Sequence, residues 1–149
     1  MRTVYRVLAF AIAAMVAIQA GAIGYAVFAQ LHWIETGGTL DAAALETGAP
    51  GTGAMIFHAL GGGVVLLLSL ALLIVSFFAN IPHGVRWALI VLGCTIVQIA
   101  LGTFSRLVAE IGAVHGAAAL VLFGVAVTAA MRAHKPAPVI EEPVAAEVG

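Results

Sequence analysis

The chain has 149 residues, of which 63% are hydrophobic and 9% charged, with a formal net charge of -1. A mean hydropathy of +1.15 lies far outside the range of soluble domains and points to an integral membrane protein in contact with a lipid bilayer. With no basic cluster there is no electrostatic footprint for nucleic acid, and the single cysteine, Cys94, excludes an intrachain disulfide.

Four stretches free of Asp, Glu, Lys and Arg follow one another at 7–34, 47–85, 87–105 and 111–131. Each holds a run of roughly 20 apolar residues, enough at about 1.5 Å per residue to cross a hydrocarbon core of about 30 Å. The expected fold is therefore all-α, a four-transmembrane-helix bundle with helices at about 7–30, 54–79, 86–106 and 111–132. An outer loop at 31–53 joins the first two spans, and its 40–46 stretch is able to form a short helical turn between glycine breakers. The loop reads as a flexible tether or as a lid over the outer mouth. Between spans two and three, Asn80, Pro82 and Gly84 predict a tight turn. The tail at 133–149, with Pro136, Pro138 and Pro143 among Glu and Ala, is expected to be a disordered cytoplasmic segment.

Arg2, Arg6, Arg86, Arg132 and Lys135 fall at the two ends and in the second loop, whereas Glu35, Asp41, Glu46 and Glu110 occupy the other two loops. By the positive-inside rule both termini are expected to be cytoplasmic, in a multi-pass protein of the cell membrane. Trp33 and Trp87 stand where interfacial anchors stand, and Arg106, at the outer end of the third span, breaks the charge pattern. The first span has a rival reading as a secretory signal ending at Val27-Phe28-Ala29. Its apolar core exceeds the roughly 7 to 15 residues of such signals, so it is expected to be retained.

A weak internal repeat is visible. Span one carries Ile18-Gln19 and Gly24, span three carries Val97-Gln98 and Gly102, and each is followed by a span that opens with a histidine, His58 or His115. Spans two and four run in the same direction, which places the two imidazoles at similar depth near the outer face. An ionisable group inside a membrane span is costly without a partner, so His58 and His115 are expected to face one another. Helical spacing sets Gly61 and Gly62 beside His58, and Ala118 and Ala119 beside His115, leaving clearance for a flat ring.

Several chemistries compete for this pair. The plainest is an interhelical hydrogen bond. Neutral imidazole is also a common axial ligand for haem iron, and bundle-core sites are built from side chains on facing helices. In that case His58 and His115 are the iron ligands, Gly62 and Ala119 flank the ring, and Arg106 neutralises a propionate. Arg106 otherwise snorkels outward or pairs with Glu110. A zinc site needs three or four ligands and would have to recruit His32 from the outer loop. Gln19 and Gln98, polar at mid-span depth, serve either as interhelical glue or as partners that orient an imidazole.

The run Val97-Gln98-Ile99-Ala100-Leu101-Gly102-Thr103, a short outer turn, His115 and the apolar stretch after it resemble haem A synthase. In that family each half is a four-helix bundle with a histidine on its second and fourth helices, positions that His58 and His115 match. The resemblance covers nearly all of the membrane portion and implies a haem-binding fold. Two features depart from the family: Met55 stands three residues before His58, where the reactive half carries a glutamate, and no cysteine lies between Leu31 and Ala54.

The leading expectation is a cytochrome-like membrane protein with a b-type haem (haem b) on His58 and His115, acting in electron transfer or haem handling. With both axial positions filled it is not expected to be an enzyme by itself. One alternative is a cofactor-free accessory subunit of a larger membrane complex; another is a half-size haem A synthase-like enzyme that works as a homodimer.

Overall fold

The computed structural model describes residues 1–133, apart from the side chain of Leu45. Five helices follow in order: α1 (Arg2–Glu35), α2 (Ala42–Thr47), α3 (Thr52–Ser76), α4 (Gly84–Phe104) and α5 (Ala109–Arg132). Four of them, all but the short α2, are long and apolar enough to cross a membrane. The fold is an all-α four-helix bundle, and the chain is a multi-pass membrane protein. The tail from His134 onward lies outside the described residues.

The helices pack in a ring. α1 and α4 each lie against both α3 and α5, which leaves α3 and α5 on one diagonal and α1 and α4 on the other. Arg2, Arg86 and Arg132 gather at one end of the bundle, the basic end; Glu35, Asp41, Glu46, Arg106 and Glu110 mark the other, acidic end.

Alanine makes up much of the interior, around a few large side chains. The core cluster consists of Tyr5, Ala9, Ile12 and Ala13 on α1, Val65 and Leu72 on α3, Ala79 before α4, Ala88 and Val91 on α4, and Leu122, Ala126, Ala129, Ala130 and Ala133 on or just after α5. Large side chains such as Leu67, Ile74 and Leu120 point outward. Small residues inside let the backbones approach, and large apolar ones outside meet lipid, which solvates them as well as a core would. Ser69 and Thr95 tie α3 to α4 within this interior, their hydroxyls 3.0 Å apart. One of them donates to the other, and the accepting hydroxyl is free to donate to the carbonyl four residues back, Val65 O at 2.8 Å from Ser69 or Val91 O at 2.9 Å from Thr95.

At the basic end, the start of α1 clamps the turn between α3 and α4. The buried Tyr5 hydroxyl donates to Gly84 O at 3.1 Å, and Arg2 donates to Asn80 O at 2.6 Å. Asn80 (φ 51°) and His83 (φ 58°) take the left-handed conformation that makes this turn tight. The Arg132 guanidinium sits 4.5 Å from the Trp87 ring centroid, a cation–π contact at the membrane interface.

At the acidic end α1 runs five residues past the expected limit of 30, because no glycine or proline interrupts it before Gly37. At 34 residues it is roughly 50 Å long, more than a hydrocarbon core requires. The chain then turns back along it. Trp33 covers Gly38, where any Cβ would collide with the indole, and its Nε1 donates to Thr39 O at 3.3 Å. Asp41 caps α2 by accepting from Ala44 N at 2.8 Å, and Gly48 ends it in the left-handed region. Gly51 rests on the α1 backbone; a Cβ there would stand 2.6 Å from Ala26 O. The returning segment is thus tied to α1 at both ends.

Candidate functional site

The apolar core fills only the half of the bundle nearer the basic end. Toward the acidic end it stops at Ala13, Val65, Val91 and Leu122, and beyond it the interior is lined by Gln19, His58, Gln98 and His115. Each helix of the ring contributes one polar side chain. Thr52 opens α3 and Ala109 opens α5, so His58 and His115 each stand six positions into their helices. Because α3 and α5 run the same way, the rings sit at one depth, about 9 Å from the helix starts.

The rings meet across the bundle axis. Their centroids are 5.9 Å apart and their planes cross at 77°. Neither ring is held by the other. His58 Nδ1 lies 3.2 Å from Gln19 O, and His115 Nδ1 lies 3.1 Å from Gln98 O. A main-chain carbonyl only accepts, so in each ring Nδ1 carries a proton, and the tautomer this selects for a neutral imidazole has its lone pair on Nε2. Both are interhelical hydrogen bonds, α3 to α1 and α5 to α4.

The glutamine side chains behave differently from their backbones. Gln98 Nε2 donates to His115 O at 2.9 Å and stands 3.4 Å from His115 Nε2. Its Oε1 is buried without a partner, and Gln19, only 7% exposed, has both Oε1 and Nε2 buried and unpaired. An unsatisfied amide in an apolar interior is destabilising by about 1 to 3 kcal/mol. Three such atoms lie beside the two imidazoles.

Of the small residues on the histidine faces, Gly61 is buried and lies directly against the Gln19 amide, which occupies the place a Cβ would take. Gly62 has open space where its Cβ would be, and Ala118 and Ala119 are half-buried. On the other side Gly102 lies against the His115 ring; a Cβ there would stand 3.0 Å from Cε1. Gly24, its counterpart in the sequence repeat, meets nothing within 4 Å, so the repeat holds for Gln and His and lapses at this glycine.

Arg106 is exposed in the α4–α5 turn at the acidic end and makes no ion pair with Glu110. His32 is exposed near the end of α1, thirteen residues past Gln19 and so about 20 Å along the helix from the pair. Among the described residues no three His, Cys, Asp or Glu side chains gather as a metal cluster. A separate open groove of about 390 Å³ runs along the α4–α5 seam, lined by Ile90, Gly93, Cys94, Val97, Ala118 and Val121, all apolar apart from the thiol.

The sequence points to both glutamines through their polarity at mid-span depth. That their main-chain oxygens fix the imidazole tautomers has no sequence signal, since every residue carries a carbonyl. Fold and site together define an integral membrane bundle with a part-buried histidine pair between its helices. Comparison with known protein families, characterised proteins and solved structures gives no match to the chain.

Proposed function

We propose that the protein binds a b-type haem between His58 and His115 and serves in electron transfer or haem handling. The observation that carries this reading is the spacing and tautomer of the pair. Two imidazoles facing one metal ion from opposite sides, with metal–nitrogen bonds of about 2 Å, would have their ring centroids about 6 Å apart. The ring centroids here are 5.9 Å apart, each ring has Nδ1 against a carbonyl, and of the two Nε2 atoms that of His115 faces the Gln98 amide at 3.4 Å. Second-shell bonds of this kind orient a ligating histidine and raise its basicity. The resemblance to one half of haem A synthase implies the same two residues.

His58 and His115 would hold the iron, with Gly62, Ala118 and Ala119 as the small residues beside them on the two helices. Arg106 would offer a positive charge at the acidic end for a propionate. A haem so placed supplies a one-electron couple whose potential is set by its two imidazoles and the low dielectric around them. The chain's own part is to hold both rings at one depth, fix their protons on Nδ1 and exclude water with lipid-facing Leu, Ile and Phe side chains. By the positive-inside rule Arg2, Arg86 and Arg132 support a basic end facing the cytoplasm of the cell membrane, and electron transfer requires a redox partner or second copy in the same bilayer.

The test is a reduced-minus-oxidised absorption spectrum of the protein purified in detergent after expression with ample haem. A low-spin spectrum with sharp visible bands is expected, abolished by His58→Leu combined with His115→Leu. Absence of any haem band would reject the reading. A cofactor-free structural role is favoured by one fact, that both rings already make interhelical hydrogen bonds. It requires a colourless protein whose thermal stability falls on replacing either histidine.

A further inference from the structure

The two halves of the site follow one plan up to the glutamine side chains and diverge there. The Gln98 carboxamide is engaged with His115, 2.9 Å from its main-chain oxygen and 3.4 Å from Nε2. Its orientation is settled by His115 O, which only accepts, so it is the amide nitrogen that faces the ring. The Gln19 carboxamide makes no bond at all. One position accounts for the difference. Three residues after His58 stands Gly61, whose missing Cβ leaves the notch that the Gln19 amide fills. Three residues after His115 stands Ala118, which carries a Cβ; the equivalent notch is closed, and the Gln98 amide turns to the ring instead.

Resting on the haem reading above, we propose that the two axial positions are unequal: His58 is the standing ligand, and His115 is a displaceable one because Gln98 competes for its Nε2. The site then takes a small neutral diatomic molecule, such as carbon monoxide, on the His115 side. The physical reason is that Nε2 has one lone pair. When it accepts from the Gln98 N–H it is not available to iron, and ligation by His115 requires the amide to let go. His58 faces no such competitor, since the Gln19 amide is held in the Gly61 notch. Gly102 lets the His115 ring lie close against α4, where a Cβ would stand 3.0 Å from Cε1, and so within reach of Gln98, whereas the α1 glycines Gly21 and Gly24 have nothing within 4 Å of a Cβ.

The experiment is a carbon monoxide titration of the reduced, haem-loaded protein in detergent, read from its absorption spectrum. Gln98→Met removes the competing donor and is expected to lower carbon monoxide affinity roughly three- to tenfold, the factor one hydrogen bond supplies. Ala118→Gly leaves Gln98 in place but opens the α5 notch, and is expected to shift affinity the same way, which separates the effect from a folding defect. His115→Leu is expected to keep haem as a five-coordinate species that binds carbon monoxide most tightly, while His58→Leu loses most of it. Haem-loaded protein in which Gln98→Met and Ala118→Gly both stay within twofold of wild type overturns the proposal alone, as does equal haem retention in the two histidine variants. Wild-type protein without a haem band overturns the haem reading and this proposal with it.

Discussion

Gln19 packs its carboxamide into the space that Gly61 leaves by having no Cβ, and there it finds no hydrogen-bond partner. The glycine is required for shape and not for backbone conformation, since it lies inside a regular helix. Gly61→Ala is therefore expected to push the amide out of its notch, an overpacking effect of about 1 to 3 kcal/mol. Gly63→Ala, two residues on with open space around it, is expected to be neutral or to gain up to about 1 kcal/mol from helix propensity. Thermal unfolding of the two variants in the same detergent checks the pair; equal melting temperatures would refute the packing argument.

The Ser69 and Thr95 hydroxyls, 3.0 Å apart, form the one described side-chain bond between α3 and α4. Each also has a carbonyl of its own helix within hydrogen-bond reach, so little is left unsatisfied when the partner is removed. A double-mutant cycle with Ser69→Ala and Thr95→Val is expected to show a coupling energy of about 0.6 kcal/mol, the average for such bonds in membranes. A coupling above about 2 kcal/mol would mean that the pair belongs to a larger network than the one seen.

Tyr5 is fully buried at the basic end and its hydroxyl reaches Gly84 O, where α4 begins. Tyr5→Phe keeps the ring and removes the donor, and is expected to destabilise by about 1 kcal/mol. Tyr5→Ala also removes the ring from the core and is expected to lose about 3 to 5 kcal/mol, as large aromatic deletions do. Equilibrium unfolding in mixed micelles measures both.

Orientation follows from where Lys and Arg fall. In a Cys94→Ala background, Thr36→Cys at the acidic end is expected to react with a membrane-impermeant maleimide in intact cells. Asn80→Cys at the basic end is expected to react only after permeabilisation. The reverse pattern would turn the bundle over and place the histidine pair near the cytoplasmic face.

Much of this molecule is legible as text. The spans announce themselves because a membrane admits only backbones whose hydrogen bonds are made within the segment, so charge-free runs and helices coincide closely. The depth match of His58 and His115 is also visible, because two helices with the same direction and the same offset from their starts must place those residues at one level. The reach of α1 to Glu35 was less visible: the sequence signals where lipid ends, and nothing in it marks how far a helix continues beyond. The role of Gly61 was half visible, since helical spacing sets it beside His58 but does not say that the neighbour it accommodates is Gln19, forty-two residues earlier on another helix.

Composition and charge placement by themselves determined that this chain crosses a bilayer four times as an all-α bundle, because the energetics of burying peptide groups and charges in lipid depend on residue type and order alone. Only the tertiary structure decided that α3 and α5 lie on a diagonal, that the two rings meet 5.9 Å apart, and that each gives its Nδ1 proton to a glutamine carbonyl. Those facts depend on which helix faces which and on where a missing Cβ leaves room, and packing of that kind is a property of pairs of surfaces that no single stretch of residues encodes.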